Sequence, residues 1–450
     1  MTQQGVRWTA DQVLALAPDA ASRTAGSRLG AAGPWSEAGS SGEGAVWGLC
    51  KGSGSKPYRT VIDIADSGGP AYKCSCPSRK FPCKHALGLL LLWAGEGGAV
   101  SRGPAPDWAE EWIAGRRQRA DEKRTAASAG SPSTGDPEAA RRRAERRAER
   151  ITAGTVELEQ RLTDLLRGGL AAAEQAGYGL WEESAARMVD AQAPGLAARV
   201  RELGAIPSSG PGWPVRLLAE CALLHLLVQG WLRRERLPDG LAATVRSRIG
   251  LSGPTDGPPT RDHWLVLAQY DTSDSHLTTR RIWLHGAASA RTALLLSYGA
   301  AGRAPELALP VGLAFEADLS AYAGAGQLRV ALAEQVTPPA PTAVRPPGMT
   351  TVEAAVRYGE ALRSDPWLDS YPVTLGRVIP TPAGDAWQLA DADGDLALPV
   401  TASAASRPGL WRLAALSGGA PVTVFGECGH RGFTPLTAWP EGRGEAVSLC

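Results

Sequence analysis

Hydrophobic positions along this chain change their period from segment to segment, and each period predicts a different kind of element. Near the start, Thr9 and Gln12 form a capping box ahead of Val13, Leu14 and Leu16, which predicts a short helix ended by Pro18. Alternating runs at 45–50 and 58–65, with β-branched residues at Val61, Ile62 and Ile64, predict two strands of a hairpin. The Gly/Ser-rich turn 51–56 between them offers backbone N–H groups and two lysines, but no Gly-Lys-Ser/Thr follows, so it reads as a plain hairpin turn. The run ALGLLLLW at 86–93 then predicts a helix. Trp108 and Trp112 share one helical face and are expected to close the same core.

From residue 137 the period becomes helical. Asp136 offers an N-cap and Pro137 a first-turn residue, and Ile151, Leu158, Leu162, Leu165 and Leu166 form a stripe that can dock. Shorter helical pieces follow at 182–190 and 196–203, separated by Pro194-Gly195. The segment 215–237 is hydrophobic nearly all round, which predicts the centre of a helical bundle. Cys221 and His225 lie four apart on it and read as core residues, since no third ligand is near them in sequence.

After His263 the period falls to two. Short apolar or alternating runs between Gly, Pro and Asp turns predict an antiparallel barrel or sandwich. A Pro-rich stretch at 337–348 and a helix at 352–363 interrupt the strands, which then resume. The pentapeptide LALPV at 307–311 recurs at 396–400, a hint of two related β units. The fold expected is therefore α+β and multi-domain: a small hairpin-and-helix domain at 1–115, a basic low-complexity linker at 116–136, a helical domain at 137–255 and a β-rich domain at 256–450.

Composition narrows the function classes. With 450 residues the chain has room for about three domains, each with its own core. Lys plus Arg number 47 and Asp plus Glu 46, so any basic footprint must be local. One such footprint exists: 116–150 carries eleven basic residues against six acidic ones. Seven cysteines, an odd number with three of them clustered, fit a reducing compartment better than a disulfide framework. Residues 1–16 are polar without an apolar signal core, and no run reaches the ~18 apolar residues of a membrane span, so the expected location is cytoplasmic.

The stretch YKCSCPSRKFPCKHALGLLLLW at 72–93 carries the chemistry. Cys74, Cys76, Cys83 and His85 form a C-x-C, six-residue loop, C-x-H pattern, the four soft or borderline ligands of a closed tetrahedral zinc site. On an extended strand Cys74 and Cys76 project to the same side, with Ser75 and Lys73 turned away, and a loop bounded by Pro77 and Pro82 brings Cys83 and His85 back. One structural Zn2+ is expected, with no open position for catalysis. Cys50 reads as a packed thiol, and Cys428 with His430 lacks a preceding C-x-C, so no second site is expected there.

This pattern resembles the SWIM-type zinc finger, whose C-x-C and C-x-H positions all match here. The resemblance extends to 46–64, which looks like the hairpin preceding the ligands in bacterial members, and it covers the first quarter of the chain. An N-terminal finger followed by helical and then β-rich regions looks like a stand-alone bacterial SWIM protein. The resemblance implies zinc binding, contacts to protein or nucleic acid, and protein partners such as a MoxR-type ATPase or a von Willebrand-type protein.

Three functional classes follow. The first is a non-enzymatic macromolecular interaction adaptor. The second is a DNA- or other nucleic-acid-binding protein, with candidate contacts at Lys73, Arg79, Lys80 and Lys84 on the knuckle and Arg141, Arg142, Arg143, Arg146 and Arg147 on the overhanging basic helix. The ordinary reading of that helix is a solvated face held by pairs such as Glu138–Arg142 and Arg141–Glu145. An enzyme is the weakest class, because the chain has no nucleophile elbow, P-loop, dinucleotide fingerprint or H-E-x-x-H, and no catalytic residue is assigned.

Overall fold

The computed structural model describes residues 8–41, 44–52, 56–64, 70–78, 80–95, 98–128, 137–251, 253–273, 277–300, 305, 307–324, 326, 328–442 and 444–450. Its first unit starts with α1 (Ala10–Leu14), capped by Thr9 and Gln12 in the expected reciprocal box, and α2 (Ala20–Ser27), capped by Asp19. Strands β1 (Trp35–Ser40), β2 (Ala45–Cys50), β3 (Tyr58–Asp63) and β4 (Ala71–Cys74) form an antiparallel meander. The helix α3 (Lys84–Ala94) lies over it, and β5 (Ser101–Arg102) adds in parallel beside β1. Gly26 on α2 faces Leu87 and Gly88 on α3 faces Leu29 so closely that a Cβ at either position would collide, which sets how tightly these helices meet. Cys50 is a buried thiol, as expected.

The helix α4 (Asp107–Ser128) begins with Trp108 and Trp112 against Trp47, Val61 and Ile113, closing the outer face of the finger sheet. It continues through Ser128 across much of the segment expected as a linker at 116–136. Residues 129–136 lie outside the described residues, and with them the N-cap expected at Asp136.

A helical bundle follows: α5 (Pro137–Gly168), α6 (Ala171–Asp190), α7 (Pro194–Ala205), α8 (Trp213–Leu232) and α9 (Asp239–Ile249). Its core holds Ile151, Leu158 and Leu162 of α5 against Leu217, Cys221, Leu224, Val228 and Trp231 of α8. The expectation that 215–237 runs through the middle of the bundle needs correction. Only one face of α8 is inward, and Val215, Leu218 and Leu226 are 74%, 48% and 45% exposed. By length and composition alone α8 could cross a membrane, but one face of it, about a third of its residues, is buried in the bundle. His225 is also not a core residue; it sits at the surface with Nδ1 2.9 Å from Glu159 Oε2.

The β-rich region is two units. In the first, β6 (Thr260–Ser273), β7 (Leu277–Gly286), β8 (Thr292–Ala300), β9 (Leu313–Ala321) and β10 (Arg329–Gln335) close into a ring, because β10 pairs with both β8 and β9; β11 (Ala340–Pro341) extends the edge of β9. After α10 (Thr351–Leu362), the second unit is an antiparallel sheet of β12 (Ser370–Ala383), β13 (Ala386–Asp391), β14 (Ala397–Pro399), β15 (Val422–Gly429), β16 (Gly432–Pro440) and β17 (Val447–Ser448). Two short helices, α11 (Ala402–Ala405) and α12 (Pro408–Ser417), cover it. The two LALPV copies differ: the first is a loop with Leu309 buried, and the second supplies β14 with Leu396 exposed.

The units are not separate beads. Val46, Ile62, Leu87, Leu90 and Trp93 of the finger share one continuous core with Trp264, Ile282, Leu295 and Phe315 of the barrel. The opposite side of β6 and β7, through Leu265, Leu267 and Trp283, meets Phe425, Leu436 and Trp439 of the second β unit. Trp367, just before β12, is buried in the bundle core and donates its indole N–H to the Leu223 carbonyl. Arg248 of α9 holds the fully buried Asp365 with a two-pronged pair.

Candidate metal centre

The antiparallel register of β3 and β4 puts Thr60 directly opposite Cys74, the last residue of β4. Beyond it the chain stays tied to β3, because Ser75 N–H donates to the Arg59 carbonyl and Ser75 Oγ accepts from Arg59 N–H. The knuckle then turns and delivers Cys83 as the N-cap of α3, with His85 in the first helical turn. Lys80 anchors the loop by an ion pair of 2.6 Å with Asp19, the cap of α2. That bond, with those from Ser22, holds the Asp19 carboxyl down at about 2.

One ligand atom from each of Cys74, Cys76, Cys83 and His85 lies within 4.8 Å of the others, and Cys74 Sγ is 3.7 Å from His85 Nδ1. A tetrahedral zinc with Zn–S of ~2.3 Å and Zn–N of ~2.0 Å has ligand-to-ligand edges of roughly 3.5–3.8 Å, so the side chains already stand near the required polyhedron. Cys83 and His85 are buried, Cys74 and Cys76 half-buried. Their electrostatics call for a cation. The Cys83 thiol hydrogen-bonds Cys74 and holds its ionisation well below the usual range, while the same bond and burial push Cys83 far up; burial also raises Cys76. Three thiols this close cannot all ionise without a compensating charge, which a Zn2+ held by the four ligands would supply.

The surrounding groups orient the ligands. Backbone N–H groups of Cys76, Ser78 and Ala86 reach the sulfurs of Cys74, Cys76 and Cys83 in turn. Thr60 Oγ1 lies 3.2 Å from Cys74 Sγ, and the Tyr58 ring packs on the His85 imidazole with centroids 4.8 Å apart. Sequence reading had missed Thr60 and Tyr58, although the alternation of β3 places both on the ligand side once its register with β4 is known.

The other candidate residues are scattered. Lys73 on β4 and Lys84 at the start of α3 are exposed, Lys80 is paired with Asp19, and Arg79 lies outside the described residues. Arg141, Arg142, Arg143, Arg146 and Arg147 are all on α5, which packs against α6 and α8, whereas the knuckle belongs to the unit that packs on the barrel. The two sets of candidate nucleic-acid contacts, on the knuckle and on the basic helix, thus belong to elements packed into different units. Arg141 and Arg142 are paired with Glu145 and Glu138, as the spacing predicted, and Arg147 donates to the Gln192 carbonyl.

A SWIM zinc finger model matches residues 58–94, which span β3, β4 and α3 with all four ligands. The chain carries a SWIM zinc finger. A second match, to the SWIM-associated four-helix bundle domain, covers 146–249 and so begins inside α5 and ends with α9. Neither the curated proteins nor the solved structures gave a match. The finger match leaves out α1, β1 and β2, whose Val13, Trp35 and Val46 nonetheless join the core beneath the zinc ligands.

Proposed function

We propose that this protein is a non-enzymatic interaction adaptor of a reducing, cytoplasmic compartment, with its zinc in a purely structural role. The observation that carries the reading is the outer face of α8. Val215, Leu218, Ala219, Ala222 and Leu226 fall within a narrow arc of the helix, directly opposite its buried face, and all are exposed. Contiguous apolar surface on a folded unit marks a partner site, and here it would take an apolar protein surface. Four protein ligands are the full complement of a tetrahedral site, which supports structure over catalysis. A MoxR-type ATPase or a von Willebrand-type protein is the partner class to test first.

The nucleic-acid reading keeps one supporting observation: Arg143 and Arg146 on α5 are exposed and have no side-chain partner among the described residues. A single comparison separates the two readings. The full chain is tested for binding to a purified candidate partner and to duplex and single-stranded DNA across a salt series. Adaptor function predicts partner binding that survives nuclease and is lost in a Val215→Glu/Leu218→Glu/Leu226→Glu variant. DNA binding that weakens steeply with salt, with the partner binding unchanged by the three substitutions, would replace it.

A further inference from the structure

A cleft of about 510 Å3 opens where the N-terminal helices, the barrel and the end of the second β unit meet. It is remote in sequence from the zinc ligands, and no property of the finger assigns it a role. Four arginines line it: Arg23 of α2, Arg280 of β7, Arg407 at the N-cap of α12 and Arg412 within α12. Two of them are fixed. Arg280, almost wholly buried, pairs twice with Asp271 at 2.8 Å through Nε and Nη2 and donates from Nη1 to the carbonyls of Pro305 and Leu307. Arg412 binds Asp11 at 2.9 Å and the Ser448 carbonyl at 3.2 Å. Among the described residues, the guanidinium groups of Arg23 and Arg407 have no hydrogen-bonded or ion-pair partner.

The charge balance of this lining is positive. Four guanidinium groups face two carboxylates, Asp11 and Asp271, and even an α-carboxylate at Cys450 leaves the cations in excess. Both acids are already taken, so what is left is two unpaired planar forks, each able to donate two parallel hydrogen bonds to an oxyanion. The volume falls in the range of small-molecule sites. Apolar positions at Leu14 and Val311 complete the lining and would face the uncharged part of a ligand.

We infer that the cleft binds a small phosphate-bearing molecule, with Arg23 and Arg407 as its phosphate contacts and with Arg280 and Arg412 as the fixed wall behind them. Because its sides come from the N-terminal helices, the barrel and the second β unit, a bound ligand ties these three together. Binding therefore raises the melting temperature of the whole chain.

The test uses the full, zinc-loaded chain with inorganic pyrophosphate and AMP as phosphate probes and citrate as the carboxylate probe, followed by calorimetry and thermal melting at low salt. Pyrophosphate or AMP should bind, with affinity falling as chloride is added. Arg23→Gln and Arg407→Gln should each weaken binding about tenfold, with unchanged zinc content and unchanged melting of the ligand-free protein. Arg143→Gln/Arg146→Gln on α5 should leave it intact. Arg23 is exposed on α2, so the R23Q variant tests the site even if R407Q disturbs α12. The inference is overturned if neither phosphate probe binds at millimolar concentration, if citrate alone binds, if R23Q leaves affinity unchanged, or if the α5 variant abolishes it.

Discussion

The carboxylate of Glu427 on β15 accepts the Tyr270 hydroxyl of β6 at 2.6 Å, and the same oxygen accepts the Trp283 indole N–H of β7 at 2.9 Å. Its other oxygen takes Ser370 Oγ, so one side chain satisfies donors from both β units inside their shared apolar contact. Burial first, and then the Glu427 charge, raise the Tyr270 phenol, which keeps it a donor.

Replacing Glu427 with Ala should leave the Tyr270 and Trp283 donors without an acceptor and cost about 2–4 kcal/mol. Tyr270→Phe alone should cost less, and the double variant less than the sum, because one bond is removed twice. Denaturant midpoints check this; additive effects would mean that the bond contributes nothing to joining the two units.

Zinc removal should reach further than the finger. Structural zinc contributes on the order of 10–16 kcal/mol in small fingers. Here the helix it caps shares its core with Trp264 and Phe315, so losing the metal uncovers one side of the barrel. A Cys74→Ala/Cys83→Ala variant should hold no zinc, bind an apolar dye and be cleaved by protease in the barrel as well as in the finger. The bundle, with its own core, should persist as a protected fragment. Wild-type protein should carry one zinc per chain by metal analysis.

Asp262 yields a pH dependence. Burial pushes its carboxyl up, but hydrogen bonds from Ser289 Oγ and from the backbone of Ala288, Ser289 and His263 together outweigh burial and hold it below the ordinary value. A folded-state value below the unfolded one adds stability that is complete above about pH 4 and is lost as pH falls through the lowered value. Asp262→Asn should therefore destabilise the barrel by about 1–3 kcal/mol at neutral pH. The gap to wild type should narrow below about pH 4, as read from melting temperatures across pH.

Local signals were legible in the sequence and long-range ones were not. The C-x-C and C-x-H spacing placed all four ligands, and Thr9 with Gln12 marked the first helix, because each depends on neighbours a few residues away. The apolar circumference of α8 gave the helix but not its position, since composition does not say how many neighbours will cover it. The joint core of Leu90 and Phe315, more than two hundred residues apart, leaves no trace in periodicity; both halves simply look buried. His225 reads as core because its flanks are Leu, yet its place on the helix is off the buried face, and it meets Glu159 of α5 at the surface. Arginine-rich 116–128 lacks an apolar stripe, so it read as a linker although its Arg, Glu and Ala residues favour a helix.

The basic start of α5 allows the less favoured functional reading to win. If Arg141, Arg142, Arg143, Arg146 and Arg147 contact phosphates, changing all five to Gln should weaken nucleic-acid binding equally across sequences and flatten its salt dependence, since each lost contact releases one fewer counterion. Two of the five are already engaged with Glu138 and Glu145 and a third with the Gln192 carbonyl, so much of the charge is spoken for. Exposed pairs of this kind are worth ~0.2–1 kcal/mol each, and stability should change little. The adaptor reading expects no appreciable affinity for DNA or RNA in ~0.15 M salt in either protein. Submicromolar binding there, abolished by the five substitutions, would make nucleic acid the partner and leave the exposed face of α8 without a function.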